Sequence, residues 1–114
     1  MTAEFGVDEI RAQYPSPMST FDGCKDPENS DCYCVGGAFY QFLAYRRSPG
    51  LKQVPGLYRF PTSGELSMAL REANPSLSQG AAHRCALRIV RENDNDRFDL
   101  AWKQLNKALR FDHD

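Results

Sequence analysis

The sequence lacks any long apolar run and any secretory leader. Among its 114 residues, no stretch approaches the roughly 18 apolar residues that a membrane-spanning helix needs. Its first residues, MTAEFGVDEI, carry acidic side chains where a secretory signal carries basic ones ahead of an apolar stretch. We therefore expect a cytoplasmic protein without membrane contact.

The sequence also has little net charge, −1, so no overall field draws it to nucleic acid. The charges are nevertheless unevenly placed. Residues 1–31 hold seven Asp and Glu against two basic residues, whereas residues 32–92 hold eight Arg and Lys against three Glu. Either the acidic N-terminal arm neutralises the basic middle of the chain, or a basic face stays open to an anionic partner.

Calcium-loop spacing is missing as well. Counted from Asp22, the third position is Cys24 and the sixth is Pro27, where an EF-hand needs an oxygen ligand and a glycine. Counted from Asp94, the fifth position is Phe98, which cannot ligate calcium. No internal repeat is visible, and no motif assigns the chain to a known family.

What the sequence does contain is helical periodicity. Apolar residues recur at helical spacing in five segments: 7–14, about 32–47, 62–74, about 76–92 and about 97–110. An apolar fraction of 41% is enough for one compact core. These patterns predict an all-α single domain over residues 1–114 with four to five helices, consisting of an acidic arm and loop (1–31) and a helical core (32–114).

Short polar residues indicate where these helices begin. Ser30 or Asp31 is the expected N-cap of the second segment. The third segment opens with the capping box Thr62-Ser63-Gly64-Glu65, and Ser76-Leu77-Ser78-Gln79 predicts a second box before the fourth. For the last segment we expect Asp94 or Asp96 as the cap.

Two segments do not read as α-helix. Residues 16–30 are rich in Pro, Gly, Asp, Asn and Ser, which predicts a long loop. Residues 51–61, LKQVPGLYRFP, are bounded by turn residues and predict an extended connector whose aromatic side chains pack on the helices. Leu57, Tyr58 and Phe60 of this connector are candidate contacts for a partner.

The chain has four cysteines. Three of them precede or begin the predicted second helix, and the fourth lies on the predicted fourth helix. The first interpretation of these cysteines is thiol chemistry. Cys32 and Cys34 would lie in the first turn, where unpaired backbone N–H groups and the helix dipole favour a thiolate. A nucleophile also needs a base, for which His83 is the better candidate because His113 lies in the terminal tail. This interpretation makes Cys34 and His83 the catalytic candidates of a thiol enzyme.

The second interpretation is a zinc site. Cys24, Cys32 and Cys34 could supply three thiolates, with Cys85 or His83 as the fourth ligand of a tetrahedral ion. The separations of seven residues and one residue depart from the usual paired spacing of two to four residues. If zinc were bound, the protein would be a zinc-stabilised adaptor for protein or nucleic acid.

The third interpretation is close packing, with sulfur serving as a small apolar group. Gly36 and Gly37 each cost about 1 kcal/mol in a helix interior, which is tolerable where a neighbour leaves no space for a Cβ. We expect two small-residue patches to meet, and they consist of Cys34, Gly37 and Ala38 on one side and Ala81, Ala82, Cys85 and Ala86 on the other. On this interpretation the protein has no cofactor.

The best-placed cations are Arg84, Arg88 and Arg91, at positions i, i+4 and i+7 of the fourth helix. Arginine binds carboxylate or phosphate in a two-pronged contact. No base-reading motif or aromatic platform accompanies these arginines, which makes nucleic acid an unfavoured partner. The sequence therefore predicts a small non-catalytic protein that acts through a protein partner or as a homo-oligomer, with these arginines and residues 57–60 as its contacts.

Overall fold

Five α-helices make up most of the computed structural model, which describes residues 3–18, 33–53 and 60–111. They are α1 (Val7–Gln13), α2 (Val35–Arg47), α3 (Ser63–Ala73), α4 (Gln79–Asp94) and α5 (Phe98–Arg110), with a 3₁₀ helix over Pro49–Gln53. No strand occurs within the described ranges. The prediction of an all-α fold is confirmed.

The helices pack around α2, which contacts each of the other four. Its predicted apolar stripe is fully buried and consists of Val35, Ala38, Phe39, Phe42 and Leu43. The helix is enclosed well beyond this stripe, since its remaining residues up to Tyr45 are also buried apart from the half-buried Tyr40. The radius of gyration is 13.1 Å, close to the value of about 13 Å expected for a single globule of this length.

The second half of the chain packs α4 against both α3 and α5. Each of these helices turns one apolar side inward, as the periodicity predicts. The largest fully buried residues of this half are Leu66, Leu70, Ile89, Leu105 and Leu109.

The N-terminal segment closes the other side of the core. The backbone N–H of Ala3 donates to the carbonyl of Leu109, and Arg11 lies near Asp99, so α1 runs antiparallel to α5. The ring of Phe5 packs on the rings of Phe39 and Phe42, with centroids 6.4 and 5.0 Å away. These contacts fix a short helix that would be marginal alone.

The start of α2 differs from the prediction, because the helix begins at Val35 and not at Cys32. Cys34 is itself the N-cap, and its Sγ accepts the N–H of Gly37 at 3.1 Å. The neighbouring N–H of Val35 donates to Oδ1 of the buried Asn93 at 2.8 Å. The predicted caps Ser30 and Asp31 lie outside the described residues.

Of the three caps predicted for the later helices, one is confirmed and two are wrong. Thr62 and Glu65 form both hydrogen bonds of the predicted capping box. The cap of α4 is Ser78, which accepts the N–H of Ala81, so the box predicted from Ser76 begins two residues too early. Asp94 and Asp96 do not cap α5, which begins after Arg97 without a side-chain cap.

The α4–α5 turn explains the last correction. Asp96 has a φ of 60°, in the left-handed region that short polar residues tolerate better than most. The helix α4 also runs to Asp94, two residues beyond the predicted end of the fourth segment. Asp96 therefore shapes the turn and does not cap the helix.

The predicted aromatic connector begins differently from expectation. Residues 51–53 belong to the 3₁₀ helix, so the connector is not extended at its start. Leu57 and Tyr58 lie outside the described residues, and so does most of the loop predicted over 16–30. In the part of the chain that the structure describes, no helix combines the length and apolar character required to span a membrane.

Candidate protein-binding face

The three arginines predicted from their spacing lie exposed on one side of α4. They are Arg84, Arg88 and Arg91. The opposite side of the same helix is buried through Ala82, Ala86, Ile89 and Asn93. The structure thus confirms that the arginines share a solvent-exposed side.

A second row of cations lies on α5, and the sequence analysis missed it. Lys103, Lys107 and Arg110 are exposed and have the same i, i+4, i+7 spacing as the arginines of α4. The spacing was visible in the sequence, but only the packing of α5 beside α4 shows that the rows are neighbours. We call these six residues the cationic face: Arg84, Arg88, Arg91, Lys103, Lys107 and Arg110.

A shallow groove runs between the two rows. Arg88, Arg91 and Glu92 line its α4 side, and Leu100 contributes an apolar surface on its α5 side, which Lys103, Gln104 and Lys107 complete. Leu100 is 47% exposed. The groove therefore combines positive charge at its edges with apolar surface inside.

Below the groove, one side-chain bond joins the helices. Gln104 Nε2 donates to Sγ of Cys85 at 3.3 Å, and both side chains are half buried. This bond links α4 and α5 between the two rows of cations.

The cationic face forms few ion pairs with described residues. Among the described residues, the single ion pair that any of its six members forms is Arg91 Nε to Glu92 Oε1, at 3.6 Å. Glu92 is shared, because its Oε2 also accepts from Arg97 Nε at 2.6 Å. Asp8 and Asp99 border the α5 row, in a depression that Lys103, Lys107 and Arg110 also line. Of the six cations, only Arg91 therefore forms an ion pair with a described residue.

The arginines of α1 and α2 each form an ion pair. Arg11, Arg46 and Arg47 pair with Asp99, Glu4 and Glu72 respectively. Glu4 belongs to the acidic arm, so a described residue of the arm does pair with a cation of α2.

Of the contacts predicted in the aromatic connector, the structure describes only Phe60. Phe60 is exposed, with 37% of its surface open. Leu57 and Tyr58 lie outside the described residues, so the structure does not group these three with the cationic face.

Cys34 does not have the surroundings of a catalytic thiol. It is buried, and burial raises the pKa of its thiol to about 11, although hydrogen bonds from the N–H groups of Gly37 and Gly36 act in the opposite direction. The predicted lowering of the pKa at a helix start is therefore reversed, because desolvation outweighs the N–H groups. Cys34 stays protonated at neutral pH.

The structure also separates Cys34 from its proposed base. The start of α2 lies beside Asn93, and His83 comes ten residues earlier on α4, about 15 Å along the helix axis. His83 is exposed and lines a groove with Gly64, Met68 and Arg71 of α3. The Cys34 and His83 side chains do not form a dyad.

The zinc hypothesis rests mainly on residues outside the described ranges. Cys24 and Cys32 are not described, and neither Cys34 nor Cys85 forms a disulfide. Within residues 3–18, 33–53 and 60–111, no cluster of three or more His, Cys, Asp or Glu suits a metal ion. A zinc site built from Cys24, Cys32, Cys34 and Cys85 stays a prediction.

The close-packing hypothesis holds at Gly36, where the neighbour is α3, whereas the packing of Gly37 against the alanine patch of α4 stays a prediction. A Cβ on Gly36 would lie 3.0 Å from Cδ2 of Leu66 on α3, so this glycine permits close approach. The helix α2 does contact α4, and its first residue does so through Asn93. Cys85 lies about 12 Å along α4 from Asn93, so Cys34 and Cys85 are at different levels of the bundle.

Comparison with known proteins adds no relative. No family model, no curated protein and no solved structure matches this chain. Function is therefore argued from the geometry and charge of the chain itself.

Proposed function

We propose that this protein is a non-catalytic binding protein that recognises an acidic partner protein through its cationic face. The observation that carries the proposal is the set of exposed cations on α4 and α5, of which only Arg91 forms an ion pair within the described part of the chain. Carboxylates of a partner that approach such a face lower the electrostatic free energy of the complex. Arginine is also enriched at the centres of protein interfaces.

A foreign partner is favoured over self-association through this face. Two copies related by a two-fold axis would bring the same surface of each copy together. Arg88 and Lys103 of one copy would then face the cations of the other, which is unfavourable. We expect a monomer in size-exclusion chromatography with light scattering. A dimer that becomes stronger in Arg88→Glu would show self-association through the cationic face and would contradict this proposal.

We also propose a cytoplasmic location. The two cysteines that the structure describes, Cys34 and Cys85, form no disulfide, which suits a reducing compartment.

The proposal is tested with labelled poly-L-glutamate as an acidic polypeptide probe, followed by fluorescence anisotropy. We expect Arg88→Glu to weaken binding about tenfold or more, because it replaces an attraction by a repulsion. The matched control is Arg71→Glu, which makes the same charge change at an exposed position on α3 outside the cationic face.

Binding of the unsubstituted protein should weaken as the salt concentration rises from about 0.05 to about 0.15 M, since exposed charges are screened. Equal losses for Arg88→Glu and Arg71→Glu would show a general charge effect and contradict a specific face. An absence of binding at low salt would contradict the proposal outright.

A further inference from the structure

We infer that the partner presents an acidic amphipathic α-helix that lies lengthwise in the groove between α4 and α5. This inference rests on the proposed function and specifies which structural element of the partner is recognised.

The spacing of the cations favours a helical partner. In the groove, Arg88 and Arg91 are three residues apart, about 4.5 Å along the α4 axis, and Lys103 and Lys107 are four apart, about 6.0 Å along the α5 axis. A helix aligned with the groove presents carboxylates at these same two spacings when they stand at i, i+3 and i+4. An extended chain presents same-side residues about 6.7 Å apart, which fails to match the spacing of Arg88 and Arg91 by about 2 Å.

The interior of the groove favours apolar side chains from the partner. Leu100 is half exposed in the groove that Arg88, Arg91, Lys103 and Lys107 also line. The aliphatic stems of those long side chains add further apolar surface. A helix with leucines along its centre and glutamates along both flanks is complementary to this arrangement.

The same groove suits single-stranded nucleic acid poorly. Non-specific binding of single strands uses aromatic side chains on which bases stack, together with a positive groove. None of the residues that line the groove is aromatic. Leu100 would be covered by neither phosphates nor stacked bases.

Three probes distinguish these partners. The first is a labelled peptide of about 18 residues, long enough to span about 27 Å as a helix, with Leu on one face and Glu on both flanks of that face. The second has the same composition in an order that mixes Leu and Glu on all sides. The third is labelled oligo(dT), and all three are compared with poly-L-glutamate by anisotropy.

We expect the amphipathic peptide to bind at least about tenfold more tightly than the scrambled peptide or oligo(dT). Its circular dichroism should gain helical signal when the protein is added in excess. Equal binding of the two peptides would overturn the inference while leaving the proposed function intact. Tighter binding of oligo(dT) would overturn both.

One substitution in the groove tests the apolar contact separately from charge. Leu100→Ser should weaken the amphipathic peptide about tenfold and leave poly-L-glutamate nearly unchanged. The matched control is Met68→Ser on α3, where Met68 is 74% exposed and lies away from this groove. Equal effects of the two substitutions on the amphipathic peptide would contradict the inference.

Discussion

The surroundings of α2 and the outer side of α4 and α5 use the same kinds of residue in opposite ways. Around α2, Arg46 contacts Glu4 and stacks over the ring of Phe5, with its Cζ 5.1 Å from the ring centroid, and Arg47 pairs with Glu72. On the outer side of α4 and α5, Arg88 and Lys103 form no ion pair with any described residue. The net charge of −1 conceals this difference, because it sums over both regions.

The backbone ends of the helices show the same contrast. The start of α2 is enclosed, and its N–H groups are satisfied by Cys34 and by Asn93, which is 58 residues away from Val35 in the chain. The starts of α3 and α4 are capped at the surface by the nearby residues Thr62 and Ser78. Substitutions in the enclosed region should therefore change stability, and substitutions on the outer face should change binding.

The largest effect on stability is expected for Asn93→Ala. It removes the acceptor of the Val35 N–H and the donor to the Met18 carbonyl, and leaves two backbone groups without partners. We expect the free energy of unfolding in urea to fall by about 3 kcal/mol. Asn95→Ala is the control: Asn95 is exposed and bonds only the carbonyl of Arg91, so its loss should stay below about 1 kcal/mol.

The next effect is expected at the closest helix contact. In Gly36→Leu the new side chain would collide with Leu66, which is fully buried, and we expect a loss of about 2 kcal/mol. Gly64→Leu is the matched control, because a Cβ there meets only the Thr62 hydroxyl oxygen at an ordinary 3.9 Å. A thermal melt in which the two variants lose the same stability would contradict the close approach of α2 and α3.

A smaller effect is expected from the buried thiol at alkaline pH. The pKa of Cys34 is raised from the usual 9.0 to about 11, so the folded state holds the proton more tightly than the unfolded state. Stability from this group is complete below pH 9 and is lost as the pH rises towards 11, by about 1 kcal/mol at pH 10.

Cys34→Ser isolates this contribution because serine keeps the N-cap hydrogen bond without titrating. Tyr14, whose pKa burial raises to about 12, is common to both proteins and cancels in the difference. If unfolding in urea at pH 8 and pH 10 shows the same change for both proteins, the thiol is not protected by burial.

The smallest effect separates the two classes of arginine. Arg46→Gln removes a contact with Glu4 and the stacking over Phe5, and should cost about 1 kcal/mol. Arg88→Gln should change stability by less than about 0.5 kcal/mol, because Arg88 is exposed and forms no ion pair with a described residue. Equal costs in matched urea titrations would remove the distinction between the two regions.

Much of the fold follows from local sequence, and the missed features are those that depend on distant residues. The apolar periodicity of α2 and α5 and the box at Thr62 are local signals, and each is confirmed. The role of Asn93 at the start of α2 could not be predicted, because no local pattern links a residue to a partner 58 positions away. The choice among the three interpretations of Cys34 could not be made for the same reason, since the burial that raises its pKa depends on tertiary packing.

The sequence analysis predicted one of the two rows of cations in the candidate site. The spacing of Arg84, Arg88 and Arg91 identified the α4 row, because one helix has one known geometry. The α5 row has the same spacing, but only the packed structure places it beside the α4 row. The signal that could have identified the α5 row is a second set of cations at i, i+4 and i+7 on the next amphipathic helix. This set consists of Lys103, Lys107 and Arg110.

The central claim, that the cationic face receives an acidic chain, is tested most directly by a two-dimensional ¹H–¹⁵N NMR titration with poly-L-glutamate. We predict that the amide shifts concentrate in residues 84–91 and 100–107 and disappear in the presence of high salt. Shifts that centre on the α3 surface around Met68 and Arg71, or that spread evenly over all exposed cations, would contradict the account.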